Sequence, residues 1–364
     1  MNIAIVGVGL VGRVLALNLL QQGHTLTLFE KSSKEATDAA GFTAAGMLAP
    51  FAELETAESA IFEYGKRSME LWPDILKEAG VYDGLQLKGT IITAHSQDMG
   101  ELEHFVASLR HKVEEAKEIK MLDSQELTEL EPELGHHSKA FFLKDEGQVD
   151  AQRFMAFSTN ILSMNPNVTW MEHTEVEKLE PAKVFYANKV EVFDWVFDSR
   201  GLGAKEHFED LRGVRGEVFW LESSEINITR PTRLLHPRYK IYIVPRENGC
   251  EGMDLEYCNE CKISQAPGSK RYVVGATEIE SEDTSPMSVR SSLELLSAVF
   301  SVHSGFGEAR IVNSETNCRP AFKDNLPRIE HAEKLTRING LYRHGCLLAP
   351  AIVEKALREG IYRL

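Results

Sequence analysis

The first thirty residues carry two hydrophobic patterns in succession. Residues 2–7 form a short apolar, β-rich run, which predicts a buried parallel strand. Residues 10–22 then repeat apolar positions with the period of a helix, and Gly23 is a natural residue to follow a helix C-terminus. Since residues 25–29 predict a second strand, the pattern as a whole predicts a βαβ unit at the N-terminus.

The rest of the chain alternates between helical and β-rich segments. Further helices are predicted over residues 57–79, 101–117, 150–162 and 291–300. Further strands are predicted over residues 90–94, 168–171 and 190–197. Alternating or β-rich segments predict an antiparallel sheet and cover residues 217–221, 240–244 and 271–276. Residues 340–350 predict a short strand, a glycine turn and the start of a last helix, which continues over residues 351–360.

The order of these elements predicts a mixed α/β fold with two interleaved domains. Strand–helix signals lie at the N-terminus, near residue 200 and at the C-terminus, with antiparallel strands between them. We therefore expect a Rossmann-type domain and an antiparallel-sheet substrate domain. The Rossmann-type domain is assigned to about residues 1–85, 145–212 and 316–364, and the substrate domain to about residues 86–144 and 213–315.

A glycine loop follows the first predicted strand, with the sequence Gly7-Val8-Gly9-Leu10-Val11-Gly12. The first glycine allows a tight turn, the second lets the backbone approach a pyrophosphate, and the third lets helix pack closely on strand. Glu30 ends the second strand, where its carboxylate can accept hydrogen bonds from ribose hydroxyls. The combination predicts dinucleotide binding, and an acid in this position suits both NAD and FAD. The alternative is a packing turn in an unrelated α/β fold.

Composition and charge narrow the possible partners. The chain has 364 residues and a formal net charge of −15, which argues against binding nucleic acid or anionic lipid. The apolar stretch from Ile3 to Leu20 lacks a preceding basic region and is interrupted by Arg13, so a βαβ unit explains it better than a signal peptide or membrane span. Five cysteines in a chain of this size indicate reduced thiols and a cytoplasmic protein.

Several segments, spread over almost the whole chain, together resemble one family. Besides the glycine loop with Glu30, they are Ala44–Pro50, Tyr242–Arg246, Val273–Thr277, Arg319-Pro320 with Asp324 and Pro327, and Arg343–Pro350. In this order they are similar to the D-amino-acid oxidase family of FAD-dependent enzymes, and within it to the glycine oxidases of thiamine biosynthesis. The resemblance selects FAD over NAD.

The resemblance implies catalytic roles for three side chains. Arg319 is expected to form a bidentate pair with the substrate carboxylate, for which a planar guanidinium is suited and lysine is not. Tyr242 is expected to donate a second hydrogen bond to that carboxylate, and Arg343 to stabilise negative charge on the reduced flavin. The alternatives are a salt bridge for Arg319 and an ordinary half-buried sheet position for Tyr242.

The resemblance also implies noncovalent FAD contacts and a substrate pocket. The positions assigned to FAD are Gly7, Val8, Gly9, Leu10, Val11, Gly12, Glu30, Lys31, Ala44, Ala45, Gly46, Met47, Val176, His344, Gly345, Cys346, Leu347 and Leu348. The pocket is assigned to Met47, Lys240 and Glu278. Lys240 stands where some glycine oxidases carry histidine. Glu278 stands where related oxidases can carry methionine, and its carboxylate either attracts a substrate ammonium or faces solvent.

The cysteines are expected to be incidental to the chemistry. Cys250, Cys258 and Cys261 fall between two strands that pair closely in the family, which predicts an inserted loop at about residues 247–270. Three cysteines without a histidine fall short of the four ligands of a structural zinc site, so no metal is predicted. Cys318 lies near the region where some amine oxidases attach flavin covalently, but the local pattern follows the noncovalent members.

The implied reaction is the oxidative deamination of a small amino acid, with glycine preferred. Hydride passes from Cα to flavin N5, the imine is hydrolysed to a keto acid, and O₂ reoxidises the flavin. Two alternatives stay open: a dehydrogenase or oxidase of D-amino acids or sarcosine, and a flavin-binding accessory protein with little turnover. Related enzymes suggest a homo-oligomer, but no interface can be assigned from the sequence.

Overall fold

The helices and strands are taken from a computed structural model that describes residues 1–54, 59–236, 241–246 and 265–363. The helices in these ranges are α1 (Leu10–Gln21), α2 (Ala40–Thr43), α3 (Pro50–Glu53), α4 (Ser59–Glu78), α5 (Met99–Lys112), α6 (Ser124–Leu130), α7 (Ala151–Met164), α8 (Val289–Val302) and α9 (Gly345–Glu359). The strands are β1 (Asn2–Val6), β2 (Thr25–Phe29), β3 (Met47–Leu48), β4 (Leu85–Gln86), β5 (Thr90–Ala94), β6 (Lys120–Asp123), β7 (Lys139–Leu143), β8 (Gly147–Val149), β9 (Val168–Met171), β10 (Val176–Glu180), β11 (Lys183–Tyr186), β12 (Lys189–Val192), β13 (Trp195–Asp198), β14 (Arg212–Ser223), β15 (Thr232–Leu235), β16 (Ile241–Arg246), β17 (Lys270–Gly275), β18 (Arg310–Ala321), β19 (Arg328–Ala332) and β20 (Leu335–Asn339).

The N-terminal βαβ unit is confirmed and forms the centre of a six-stranded sheet. Its strand order is β19-β20-β13-β1-β2-β9, and the pairs that involve β1, β2, β13 and β9 are parallel. Strands β1 and β2 are buried over four of their five residues because helices cover the sheet. The parallel order and the glycine loop after β1 make this a Rossmann-type arrangement.

The predicted antiparallel sheet is confirmed as part of an eight-stranded sheet. Its order is β18-β14-β17-β16-β15-β5-β7-β6, and the β15–β5 pair alone among these described neighbours is parallel. Helix α8 packs on it through buried Leu295 and Val299. The six-stranded sheet and this sheet draw on different parts of the chain, and the division into two domains with the boundaries given above stays a prediction.

The predicted strand over residues 190–197 is wrong, because the chain changes sheets within it. Residues Lys189–Val192 form β12, in a three-stranded antiparallel sheet with β10 and β11, whereas Trp195–Asp198 form β13 beside β1. Between them the Phe193 N–H donates to Ala182 O and the Asp194 N–H donates to Asn2 O. These two backbone hydrogen bonds go to the three-stranded sheet side and to the six-stranded sheet respectively, so one apolar segment of the sequence forms two strands.

Two predicted helix limits are also wrong. The helix predicted over residues 101–117 ends at Lys112, because Val113 is extended with φ −139° and ψ 142°. The last helix begins at Gly345, where a strand and a glycine turn were expected before it, and it contains Pro350. The short strand predicted within residues 340–350 is wrong, since the preceding strand ends at Asn339 and Tyr342–His344 form a 3₁₀ turn. Proline cannot donate to the carbonyl four residues before it. Here the buried Trp72 indole N–H donates to that carbonyl, Cys346 O, at 2.9 Å, so the helix continues through Pro350.

Gly46 is placed where a side chain cannot fit, and this yields a first prediction. Its φ is +71°, and a Cβ there would overlap Val149 O, a backbone atom that cannot move aside as the end of a flexible side chain could. Gly46→Ala should lower the free energy of unfolding by about 3 kcal/mol or more, as measured by urea denaturation. Gly23 is the matched control: its φ is +79°, but nothing lies within 4 Å of a Cβ there. Gly23→Ala should cost only about 1 to 2 kcal/mol. Equal losses in the two variants would contradict the close approach of Gly46 to Val149.

Candidate functional site

The glycine loop has the geometry of a dinucleotide cradle. Gly7 has φ +89°, and a Cβ there would lie 2.7 Å from Ser199 O. A Cβ at Gly12 would overlap Gly7 O, so α1 can approach the loop only with glycine there. At Gly9, by contrast, the nearest atom to a Cβ is Ala39 Cβ at 3.9 Å, which leaves the backbone open on that side. Gly7 and Gly12 therefore face tightly packed protein atoms, whereas Gly9 leaves open space in which a pyrophosphate could approach the backbone.

The start of α1 and the carboxylate of Glu30 flank this opening. No side chain of the described residues caps α1 at Gly9, which leaves the first N–H groups of the helix available to a ligand. The Glu30 carboxylate accepts from the Val8 N–H at 2.8 Å and from the Lys31 N–H at 2.9 Å. These contacts hold the carboxylate at the end of β2 beside the loop. The residues present fit FAD, with positive helix dipole for the pyrophosphate and an acid for the ribose.

Arg13 links the glycine loop to α7 through hydrogen bonds. The sequence did not identify it as a site residue. Its side chain is buried, and its Nε donates to Val8 O at 2.9 Å. Its Nη1 donates to Met155 O at 2.8 Å and to Thr159 Oγ1 at 2.6 Å on α7. Burial lowers the pKa of Arg13 to about 10, which still leaves it charged at neutral pH. Its position four residues after Gly9 is the only sequence signal for this role.

Two further segments assigned to FAD lie near this cradle. Ala44–Met47 run into β3, where buried Arg246 donates through Nη2 to Ala45 O at 2.8 Å. The start of α9 approaches α1, since a Cβ at Gly345 would lie 3.5 Å from Leu10 Cδ2. Cys346, Leu347 and Leu348 are buried in the first turn of α9. Val176 begins β10 in the three-stranded sheet and is buried in the apolar cluster that includes Phe29. Its carbonyl lies 3.4 Å from Arg200 Nη1, and its contact with FAD stays a prediction.

Arg319 and Tyr242 face one space on the eight-stranded sheet. Arg319 pairs with Val214 in the β14–β18 register, and its guanidinium packs where a Cβ at Gly216 would overlap it. Its Nη1 donates to Thr277 O at 3.1 Å. Tyr242 lies opposite Gly275 in the β16–β17 register. Burial raises the pKa of the Tyr242 hydroxyl, and the positive charge of Arg319 acts in the opposite direction. The Tyr242 hydroxyl lies over Gly275, which pairs with Val218 on β14, two residues along that strand from the Gly216 that the Arg319 guanidinium covers.

Arg343 is held between two carboxylates. Its Nε and Nη2 lie 3.0 and 2.9 Å from Glu53 Oε2, and its Nη1 lies 3.1 Å from Glu278 Oε2. The Tyr342 hydroxyl donates to the other oxygen of Glu278. Glu278 is thus a fixed acceptor for two neighbouring residues of the chain. The Glu278 side chain is half exposed, which agrees with the expectation that it faces solvent, and it also pairs with Arg343. An interaction with a substrate ammonium stays a prediction.

Glu53, which pairs with Arg343, also lies near His344 and Arg233. His344 Nδ1 lies 3.5 Å from Glu53 Oε2, and Arg233 Nη1 lies 3.9 Å from Glu53 Oε1. Burial acts to raise the pKa of Glu53, but the nearby groups of His344, Arg343 and Arg233 outweigh it and hold the pKa below its usual range. Burial lowers the pKa of His344. His344 is therefore a buried support for Glu53, and its contact with FAD stays a prediction.

The structure places Met47 beside Tyr242, and it shows side chains around the site that the sequence did not indicate. The pocket assignment of Met47, Lys240 and Glu278 stays a prediction. Met47 and Tyr242 pack against one apolar cluster, which includes Ala45 and Val244. Lys240 and the cysteines Cys250, Cys258 and Cys261 lie outside the described residues. The missed side chains are Glu53, Glu146, Arg233 and Tyr342. Glu53 follows Pro50 by three residues and could have been noticed for that reason, whereas Glu146 carries no signal in the sequence.

The described part of the chain offers neither a metal site nor a membrane-spanning helix. No group of three or more histidine, cysteine, aspartate or glutamate side chains there could hold a metal ion. No helix there is long and apolar enough to cross a membrane. Cys318 and Cys346 are buried and form no disulfide.

Comparison with known sequences places the chain among flavin enzymes. The profile of the DAO family, described as FAD dependent oxidoreductase, matches residues 2–356. A Rhizobium etli protein provisionally named thiamine biosynthesis oxidoreductase ThiO is 34% identical over 363 residues, which cover 99% of this chain and 96% of that protein. Glycine oxidase of Geobacillus kaustophilus is 25% identical over 368 residues, covering 96% of this chain and 90% of that protein.

Solved structures have the same fold over almost the full chain. Glycine oxidase from Geobacillus kaustophilus superimposes with a TM-score of 0.78 at 23% identity, covering 99% of this chain and 94% of that one. Iminodiacetate oxidase from Chelativorans sp. BNC1 superimposes with a TM-score of 0.76 at 18% identity, covering 97% and 94%. These matches confirm the mixed α/β fold with a Rossmann-type FAD-binding part.

Glu146, behind Glu53, gives a pH-dependent prediction. It is fully buried, its Oε1 accepts from the Ala52 N–H at 3.0 Å, and burial raises its pKa from 4.5 to about 7. The folded state therefore keeps a proton that the unfolded chain releases, and this contribution to stability is lost as pH rises from about 4.5 to 7. Glu146→Gln cannot ionise and keeps the acceptor. It should be more stable than the parent by about 2 to 3 kcal/mol at pH 8 and by little at pH 5.

The measurement is urea denaturation of both proteins at pH 5 and pH 8, with FAD at the same concentration throughout. Glu78→Gln, at an exposed position near the end of α4, is the control for the change in net charge and should show no such pH dependence. A difference for Glu146→Gln that is the same at both pH values would rule out the buried proton.

Proposed function

Because the chain belongs to the DAO family of FAD-dependent oxidoreductases, we propose that it oxidises a small α-amino acid, glycine foremost, by oxidative deamination. The observation that carries the proposal is the convergence of Arg319 and Tyr242. The Arg319 guanidinium covers Gly216 on β14 and the Tyr242 phenol covers Gly275, which pairs with Val218 on the same strand, so the two groups lie over neighbouring positions of one sheet. A carboxylate is the ligand that this pair suits best, since the planar guanidinium can form two parallel hydrogen bonds with it.

The carboxylate anchor determines how the substrate is oriented. Arg319 donates to the Thr277 carbonyl through Nη1, and none of the described carboxylates forms an ion pair with it. Its positive charge is thus balanced by the substrate, with the Tyr242 hydroxyl as second donor. Fixing the carboxylate at two points presents the Cα–H in one direction, and such alignment supplies a large part of the rate enhancement.

The FAD-binding part is assigned to the segments described above. Val8–Gly12 and Glu30 would hold the pyrophosphate and ribose, and Ala44–Met47 with Gly345–Leu348 would lie against the flavin ring. Bound FAD supplies a two-electron acceptor for the Cα hydride and is reoxidised by O₂. Arg343 contributes positive charge near the ring, while Glu53 fixes its direction. The imine released from the site is hydrolysed to the keto acid and ammonia.

Two relatives support glycine as the substrate and thiamine biosynthesis as the setting. The Geobacillus kaustophilus relative is named glycine oxidase, and the Rhizobium etli relative is named for thiamine biosynthesis. We place the protein in the cytoplasm, which agrees with the unpaired Cys318 and Cys346.

The substrate and the electron acceptor can be tested in one experiment. Anaerobic addition of glycine to the purified yellow protein should bleach the flavin absorbance, and admission of air should restore it with formation of hydrogen peroxide. Sarcosine and D-alanine added separately report the substrate range. Failure of all three to bleach the flavin, in protein that retains its full FAD, would sink the proposal and favour an accessory role. Bleaching that air does not reverse would contradict O₂ as acceptor.

Arg319→Lys tests the carboxylate anchor. Lysine keeps the charge but cannot form two parallel bonds, so the KM for glycine should rise at least about tenfold. FAD absorbance and content should stay unchanged. Arg212→Lys is the matched control, since Arg212 lies on the neighbouring strand β14 and pairs with Glu280 at 2.9 Å. A KM that stays at the parental value in Arg319→Lys, measured by anaerobic flavin reduction, would contradict the assigned contact.

A further inference from the structure

Arg343 lies beside Arg319, the proposed anchor for the substrate carboxylate, and is already paired with Glu53 and Glu278. We propose that Glu278 is a specificity-determining residue that keeps a second carboxylate out of the pocket, so that the enzyme accepts monocarboxylic amino acids and rejects dicarboxylic ones. The inference rests on the proposed amino-acid oxidation, because it concerns the same pocket.

Glu278 lies next to the anchor for the substrate carboxylate. The carbonyl that accepts from Arg319 Nη1 at 3.1 Å belongs to Thr277, the residue immediately before Glu278. The Tyr342 hydroxyl donates to Glu278. Burial raises the pKa of this hydroxyl, while the positive charges of Arg343 and Arg319 both act to lower it. Arg319, Tyr342 and the Glu278–Arg343 pair therefore border one small region.

The charges in this region leave one cation for the substrate. Arg343 contacts Glu53 and Glu278, and Glu53 also lies 3.9 Å from Arg233. Two carboxylates thus balance two guanidinium groups. Arg246 also lies at this site, but its guanidinium donates to Ala45 O and to Gln148 Oε1 behind β3. Among the cations named here, Arg319 is thus the one that we assign to a single substrate carboxylate.

A second carboxylate would meet an unfavourable environment. To use Arg343 it would have to compete with Glu278 for Nη1 while lying close to the Glu278 and Glu53 oxygens. Like charges brought together in a binding site cost several kcal/mol, and such repulsion is an effective way to reject a wrong ligand. An uncharged substituent of the same size meets no such repulsion.

The test compares ligands of matched size in the FAD-loaded enzyme. The substrate pair is N-ethylglycine and iminodiacetate, and the ligand pair for binding without turnover is propanoate and malonate. In the parent, kcat/KM for iminodiacetate should be at least tenfold lower than for N-ethylglycine, and malonate should bind at least tenfold more weakly than propanoate. Substrates are followed by anaerobic flavin reduction and the acids by perturbation of the flavin spectrum.

Glu278→Gln keeps an acceptor for the Tyr342 hydroxyl and removes the charge. It should bring both ratios at least tenfold closer to one, chiefly through the KM for iminodiacetate. The ratios are compared because a change in Arg343 that follows loss of the Glu278 charge affects both ligands of a pair and cancels. Glu278→Asp retains the charge and should retain the parental ratios. Glu280→Gln, two residues away and paired with Arg212, is the matched control and should leave the ratios unchanged.

The outcomes separate this inference from the proposed function. If no amine reduces the flavin, the proposed function fails, and the binding of propanoate and malonate still tests Glu278. If the parent binds malonate as well as propanoate, or if Glu278→Gln leaves both ratios unchanged, the inference is overturned while amino-acid oxidation stands.

Discussion

Three buried side-chain donors hold the backbone of the candidate FAD site. A backbone that presents its N–H groups to an anion must still satisfy its carbonyls, which in a buried segment cannot turn to water. Arg13 donates to Val8 O in the glycine loop, and Arg246 donates to Ala45 O before β3. Trp72 donates to Cys346 O at the start of α9. Each of these three segments assigned to FAD therefore has one carbonyl that accepts a hydrogen bond from a buried side chain.

This arrangement connects the fold with the chemistry. Arg13 reaches α7 and Trp72 belongs to α4, so helices packed on the six-stranded sheet fix the cofactor-facing backbone. Arg246 ends β16, the strand that carries Tyr242, and so joins the cofactor side to the substrate side. On the substrate side the constraint is charge, not backbone geometry. Glu53 and Glu278 fix Arg343, and Arg319 keeps its charge for the ligand.

The sequence predicted well what depends on neighbouring residues. The βαβ unit, the glycine loop and Glu30 were found because periodicity and spacing are local features. The family motifs also located Arg319, Tyr242 and Arg343. The partners of these residues were not predictable, because a sequence does not reveal which distant carboxylate meets which arginine. Glu53 lies 290 residues from Arg343 and Ala45 lies 201 residues from Arg246. The start of α9 was misplaced for the same reason, since the indole that compensates for Pro350 is Trp72.

The most direct measurement is a crystal structure of the FAD-loaded enzyme with acetate, which is glycine without its amine. The account predicts that the acetate carboxylate lies on the Arg319 guanidinium through two hydrogen bonds, with the Tyr242 hydroxyl as a further donor. Arg343 should stay between Glu53 and Glu278. Acetate bound to Arg343 in place of Glu278, or a saturated site in which Arg319 contacts only the Thr277 carbonyl, would contradict it.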